Sequence, residues 1–398
     1  MVKSLTLQQR LERHQVRLEE LAYWRERKCQ PLTKLTLQGQ SVQVGDPWPG
    51  TEGSFSFTGR GTVNPDWPLA DCRLRMNLGG EGLVMLKNDQ GNPTGYGIDP
   101  YHQSFPLKSR QFSFTAECTA RLPFGEPVRE PYIQRAEIVW LDPAVEQLYL
   151  LMKQLGETIS TLMGHDVVPH LLDLAENSFY ALDWPSATAH YLARTAMAPM
   201  QQKIWQLPEV SDNTTGLDEH QRLTVLNVYE QLLTDLAELQ QRFPPEGEIA
   251  LSGHAHIDLC WLWPYAETQR KLRRTFHTVL SLMEQSADFR FNQSTAHYYW
   301  QIAQNDPPLL EKITERVKAG QWETIGGLWV EPDTNMPTGE SLARQVLYGQ
   351  SFFQQQFGFR HNICWMPDCF GFSGAFGWAT ALVSTFGATT VPFSLLAI

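Results

Sequence analysis

The chain has 398 residues, 42% hydrophobic and 19% charged, the balance of a globular protein long enough for two or three separately packed domains. Its net charge of −11 leaves no basic excess to neutralise phosphates, which argues against nucleic acid as a partner. The six cysteines (Cys29, Cys72, Cys118, Cys260, Cys364, Cys369) form no CxxC pair, and Met1–Arg10 lacks the apolar core of a signal peptide; both features predict free thiols in a cytoplasmic protein.

Leu7, Leu11, Leu18 and Leu21 recur at helical spacing within residues 5–28, so residues 1–39 read as an N-terminal amphipathic helix and linker. The period then changes. Ser54–Thr58, Arg73–Asn77 and Gln111–Thr115 alternate polar with apolar, and turn signals lie between them at Asn64–Pro68 and Asp89–Pro93. Residues 40–141 are therefore predicted to form a β-sandwich. Trp48 and Trp67 in this module suit either sugar stacking or the core, and the core is the expectation because Trp is so often buried.

Helical periodicity returns at Asp142, through Leu148, Leu151, Leu155, Ile159 and Leu162 to Leu236 and Leu239. This predicts a helical linker region over 142–246, closed by Phe243-Pro-Pro-Glu-Gly247. Beyond it the pattern alternates. Strands are predicted at 249–254, 289–294, 323–329 and 362–366, and helices at 264–285, 298–304, 307–319 and 339–357. Such βα units imply a parallel sheet, a barrel or a doubly wound layer.

Gly253-His-Ala-His-Ile-Asp258 falls where the first of these strands ends, the edge at which parallel α/β proteins gather their chemistry. His256 and Asp258 are two residues apart, so extended backbone points both side chains to one side. A ring nitrogen and a carboxylate oxygen there suit a divalent cation, zinc being plausible for mixed N/O ligands. His254 is then a candidate for orienting a ligand. A second strand runs into a carboxylate at Trp365-Met-Pro-Asp368, and Asp368 could serve as ligand, nucleophile or base. The bland alternatives are a polar turn at the first cluster and an Asx-turn or cap at the second. Trp261, Trp263, Trp300, Trp322, Trp329, Trp365 and Phe370 crowd the same region; flat apolar faces beside carboxylates suit pyranose rings, and many of these residues must also be core.

Gly253-His-Ala-His-Ile-Asp-Leu-Cys-Trp-Leu-Trp-Pro264, Ser294–Trp300, Trp322–Asn335, Gly339–Gly349 and Trp365–Gly371 resemble, in order, successive blocks of family 38 glycoside hydrolases, the α-mannosidases. The upstream Asn77–Val84 is similar to the N-terminal module of the cytosolic and vacuolar-type branch. The resemblance implies a multidomain chain: a β-sandwich, a helical linker, then an incomplete parallel (β/α) barrel-like catalytic domain over 247–398. It implies a metal-dependent retaining α-mannosidase acting on mannose-containing oligosaccharides, with a divalent metal, zinc or cobalt. Position by position, His256, Asp258 and Asp368 would be metal ligands, and Asp368 also the catalytic nucleophile. Trp261 and Phe370 would bind substrate. A homo-oligomer is compatible with this reading. A metal-dependent amidohydrolase or sugar deacetylase would also fit HxHxD with a late Asp, but the aromatic blocks and their order disfavour it.

The family supplies a general acid/base and a further histidine ligand downstream of Asp368. Here, residues 369–398 contain no Asp, Glu, Lys, Arg or His, where about six charged residues would follow from composition. The family pattern is lost after Ser373, so 374–398 reads as an aberrant tail and the chain as a truncated or frame-shifted product. Its Ser, Thr, Gly and Pro content disfavours a membrane anchor. Glu331 and Asp333 are the nearest carboxylates that could replace the missing acid. The competing expectation is a catalytically inactive remnant that binds metal or carbohydrate.

Overall fold

The segments of alternating hydrophobicity form strands that each bury one face. Phe55 and Phe57, Leu74 and Met76, and Phe112 and Phe114 all point inward, with exposed or half-buried residues between them. The computed structural model describes residues 5–89, 91, 93–182, 217–377 and 394–396. Within it, β1 (Glu26–Pro31), β5 (Cys72–Asn77), β8 (Ser104–Pro106) and β10 (Arg135–Leu141) make a four-stranded sheet in the order β1-β10-β5-β8. A six-stranded sheet runs β3-β2-β4-β9-β6-β7, from β2 (Lys34–Leu37), β3 (Gln40–Ser41), β4 (Phe55–Thr62), β6 (Glu81–Asn88), β7 (Thr94–Ile98) and β9 (Gln111–Thr119). All pairings in both sheets are antiparallel. Their inner faces share one core that includes Trp48 and Trp67, so neither tryptophan is free to stack on a sugar. The Trp48 indole N–H instead donates to the Leu78 carbonyl at 2.7 Å.

Two boundaries differ from the sequence expectation. The segment 26–37, read as linker, supplies β1 and β2 of the sandwich. Its Glu26-Arg-Lys-Cys-Gln-Pro31 stretch lacks an apolar alternation because β1 is an edge strand and almost wholly exposed, and charge and proline at an edge discourage further pairing. Helix α1 (Leu7–Trp24) is likewise no separate unit. It packs with α2 (Pro143–Thr161), α3 (Val168–Ala181) and α4 (Glu219–Arg242) in one core of Leu11, Leu21, Trp24, Leu148, Met152, Leu172 and Leu232. The chain enters this bundle, leaves to build the sandwich and returns. The part of the predicted helical region at 183–216 lies outside the described residues, as do positions 90 and 92 of the Asp89–Pro93 turn.

After Gly247 the strands β11 (Gly253–His254), β12 (Phe291–Thr295) and β13 (Trp322–Leu328) lie parallel in that order. They alternate with α5 (Tyr265–Gln285), α6 (Ala296–Asn305), α7 (Pro307–Lys318) and α8 (Gly339–Phe357). A further strand, β14 (Ile363–Trp365), packs beside β13 and pairs in parallel with β15 (Ser394–Leu396). Among the described residues these strands do not close into a barrel. The predicted buried strand at 249–254 is reduced to two residues, and Ile249 and Leu251 are 84% and 85% exposed. Their apolar alternation suits a covered strand, but β11 is the sheet's edge and nothing described lies over them. Of the segment 374–398, residues 378–393 and 397–398 lie outside the described residues.

The parallel sheet is tied to the sandwich. Helix α5 packs against β6 and β7, and buried Glu81 of β6 accepts from Lys271 at 2.7 Å and Arg274 at 2.6 Å.

Candidate active site and metal centre

The site assembles at the C-terminal ends of β11, β13 and β14. The loop after β11 is folded back on the first turn of α5: Thr268 Oγ1 donates to the Leu259 carbonyl at 2.7 Å and accepts from the Trp263 indole at 3.0 Å. This fixes the backbone that carries His256, Asp258 and Trp261. His254 is anchored to the sheet itself. Its Nδ1 lies 2.7 Å from Asn292 Oδ1 of β12, and its Nε2 accepts from the Trp365 indole of β14 at 3.3 Å. The histidine thus braces three strands, and its hydrogen bonds go to Asn292 and Trp365 rather than to the candidate ligands it was expected to orient.

His256, Asp258 and Asp368 come together with one candidate ligand atom each, all within 4.8 Å of one another. His256 Nε2 stands 3.6 Å from Asp258 Oδ1 and 3.5 Å from Asp368 Oδ2. Both distances exceed an ordinary N–H···O hydrogen bond. They match the separation of about 3.4 Å between neighbouring ligand atoms of a tetrahedral ion with bonds of about 2.1 Å. On the opposite edge of the ring, Nδ1 lies 2.5 Å from Glu331 Oε2. That hydrogen bond is the main reason the imidazole's pKa is raised above 6.5, opposed by burial and helped by Asp258 and Asp368. Three carboxylates converging on one imidazole form a site that attracts positive charge, and its mixed N/O donor set suits a divalent metal.

Glu331 reaches the site because β13 bulges. Gln293 pairs with Thr324 and Thr295 with Leu328, so β13 spends two extra residues there. Gly326 and Gly327 absorb the detour at φ +88° and +75°, a region open to glycine. Beyond the bulge, the Trp329 and Val330 amides donate to Gln345 of α8, both at 2.9 Å. Sequence reasoning weighed Glu331 only as a substitute acid and missed its contact with His256. The signal was present in kind: like His256, it follows a strand of the parallel sheet at the C-terminal edge. Asp333 has a different job, its Oδ1 accepting from the Asn335 and Met336 amides.

Trp261 and Phe370 flank the cluster in sequence and are 62% and 92% exposed, so their rings are open to a ligand. Trp322 is core, and Trp263 is buried with Lys271 Nζ 4.3 Å from its ring centroid. A groove of about 840 Å³ lies on the solvent face of the six-stranded sheet, lined by Thr36, Thr58, Arg60, Lys87 and Phe114 among others. It contains no carboxylate or imidazole, so it lacks the groups a hydrolase needs. No helix among the described residues is long and apolar enough to cross a membrane.

Comparison with known proteins agrees with this geometry. Residues 246–390 match the family described as glycosyl hydrolases family 38 N-terminal domain, a match that runs past Ser373 into the segment set apart as a tail. Alpha-mannosidase G of Dictyostelium discoideum is 47% identical over 121 residues, 30% of this chain and 11% of that protein. The alpha-mannosidase of Saccharomyces cerevisiae is 31% identical over 243 residues, 61% of this chain and 20% of its own length. Alpha-mannosidase 2C1 of Homo sapiens is 45% identical over 125 residues, 31% of this chain and 12% of its own. The chain thus spans a fifth or less of the length of these relatives. Residues 246–390, which hold His256, Asp258 and Asp368, are thus similar to the N-terminal domain of glycosyl hydrolases family 38.

Proposed function

We propose that this chain carries the metal-binding and nucleophilic half of an α-mannosidase site acting on mannose-containing oligosaccharides. The observation that carries the proposal is the placement of His256 Nε2 at 3.6 and 3.5 Å from Asp258 and Asp368. His256, Asp258 and Asp368 would hold a divalent metal, zinc by its donor preference and cobalt as a substitute. Such an ion would supply Lewis-acid grip on sugar hydroxyls. Asp368 is half-exposed, so one carboxylate oxygen can attack the anomeric carbon from the open side. The carbon–oxygen bond to the leaving group breaks as the covalent glycosyl-enzyme forms, and water later hydrolyses that ester. Trp261 and Phe370 would offer their faces to the pyranose. The parallel β11-β12-β13 layer with its intervening helices is read as the first part of a (β/α) barrel. The six free thiols support a cytoplasmic setting.

The leaving oxygen also needs a proton. Glu331 does not supply it, because both its oxygens already accept hydrogen bonds, from His256 and Ser294. Asp333 is tied into its turn. This favours a second reading, a protein that binds metal or sugar without turnover. Hydrolysis of an aryl α-mannoside, lost on chelation and restored by zinc or cobalt, would establish the enzyme. Zinc retention or mannoside binding without hydrolysis would select the second reading, and failure to bind zinc, cobalt or a mannoside would overturn both.

A further inference from the structure

Glu331 is only 13% exposed on its side chain, and both of its oxygens are occupied. Oε2 accepts from His256 Nδ1 at 2.5 Å, and Oε1 accepts from Ser294 Oγ at 2.6 Å. Ser294 is itself buried in β12, so it grips Glu331 from a fixed position. An ionised carboxylate only accepts hydrogen bonds. The short contact therefore keeps a proton on Nδ1, and in a neutral ring that leaves the Nε2 lone pair bare. That lone pair is the one facing Asp258 and Asp368. Glu331 stands outside the three-residue set of candidate ligands and approaches the opposite ring nitrogen, so it is not placed to bind the same ion.

We infer that Glu331, braced by Ser294, is a positioning residue that holds His256 in the Nδ1–H tautomer with Nε2 presented to a divalent cation. The inference rests on the metal reading above for its purpose but not for its geometry. A ligating histidine whose other nitrogen is held by a carboxylate is fixed in tautomer and orientation, and loss of such a partner typically lowers metal affinity about 10–100-fold.

The test has two arms on the 398-residue chain. In the first, histidine rings are labelled with ¹⁵N and their long-range ¹H–¹⁵N correlations recorded without metal, above the imidazole titration range. A His256→Gln variant identifies the His256 signals among the 11 histidines. The wild type should show Nδ1 protonated. Glu331→Ala should lose that preference, and Glu331→Gln, which keeps an acceptor, should retain it. In the second arm, zinc and cobalt affinities are measured by titration, cobalt also through its visible absorption. Glu331→Ala should bind about 10–100-fold more weakly, with Glu331→Gln in between. A wild-type His256 protonated on Nε2, an unchanged tautomer in a folded Glu331→Ala chain, or equal metal affinity would each overturn the inference. Should Glu331→Ala not fold, the Ser294→Ala variant takes its place with the same expected directions. If the wild type binds neither metal, the metal reading falls, and the tautomer arm still decides whether Glu331 sets His256.

Discussion

A methyl group added at Gly349, in the middle of α8, would stand 2.4 Å from both the Gly327 oxygen and the Leu328 carbonyl carbon, and 2.7 Å from the Trp329 nitrogen. Ordinary contacts begin near about 3.5 Å, so α8 would have to withdraw from β13 by roughly 1 Å. Two effects of opposite sign compete. In an exposed helix, replacing Gly by Ala gains about 1 kcal/mol of propensity. Overpacking costs about 1–3 kcal/mol, and here the upper end applies because the struck atoms are backbone and cannot rotate aside. Gly349→Ala should therefore destabilise the domain by about 2 kcal/mol, against the helix-propensity expectation. The damage should also reach the site. Trp329 and Val330 hang from Gln345 of the same helix, and Glu331 is the next residue. Urea unfolding followed by tryptophan fluorescence should show a lower midpoint, and amide hydrogen exchange should quicken over residues 322–331. An equal or higher midpoint with unchanged exchange would refute the reasoning.

Glu81→Ala leaves Lys271 and Arg274 buried without their shared carboxylate; breaking such a buried pair costs about 3–5 kcal/mol, read as a lower thermal midpoint and looser proteolytic protection between sandwich and α5. Buried Glu20 of α1 has its pKa pushed up to about 7 from 4.5, mainly by desolvation and partly offset by Arg17. A raised carboxyl pKa means its contribution is full below about pH 4.5 and lost as pH rises through 7, roughly 3 kcal/mol in all. Glu20→Gln should flatten the fall in unfolding free energy between those limits, and an unaltered pH slope would count against it. Asp368→Asn keeps side-chain volume but removes the charge of the proposed nucleophile, so any aryl α-mannoside turnover that the wild type shows should drop to background while circular dichroism stays unchanged; near-normal turnover would remove Asp368 from the nucleophile role.

Features that depend on neighbours within a few residues were legible from the sequence. The predicted and observed bounds of the helix at 339–357 coincide; Thr338 caps its start and Gly358, at φ +89°, ends it. The sandwich strands showed through their period of two, and His256 and Asp258 showed as a pair because extended backbone sets residues two apart on one side. Asp368 could be named from its motif, but its place beside His256 is set by β14 packing against β13. Glu331 and His256 are 75 residues apart, joined only because parallel strands bring their C-terminal ends to one edge and Gly326-Gly327 bends the chain inward. No periodicity encodes that meeting. The same holds for β1, a charged edge strand without alternation, and for Ile249 and Leu251, whose apolar pattern says "buried" while only the packing decides whether anything covers them. Local sequence determined which residues could do chemistry; long-range strand order decided which of them meet.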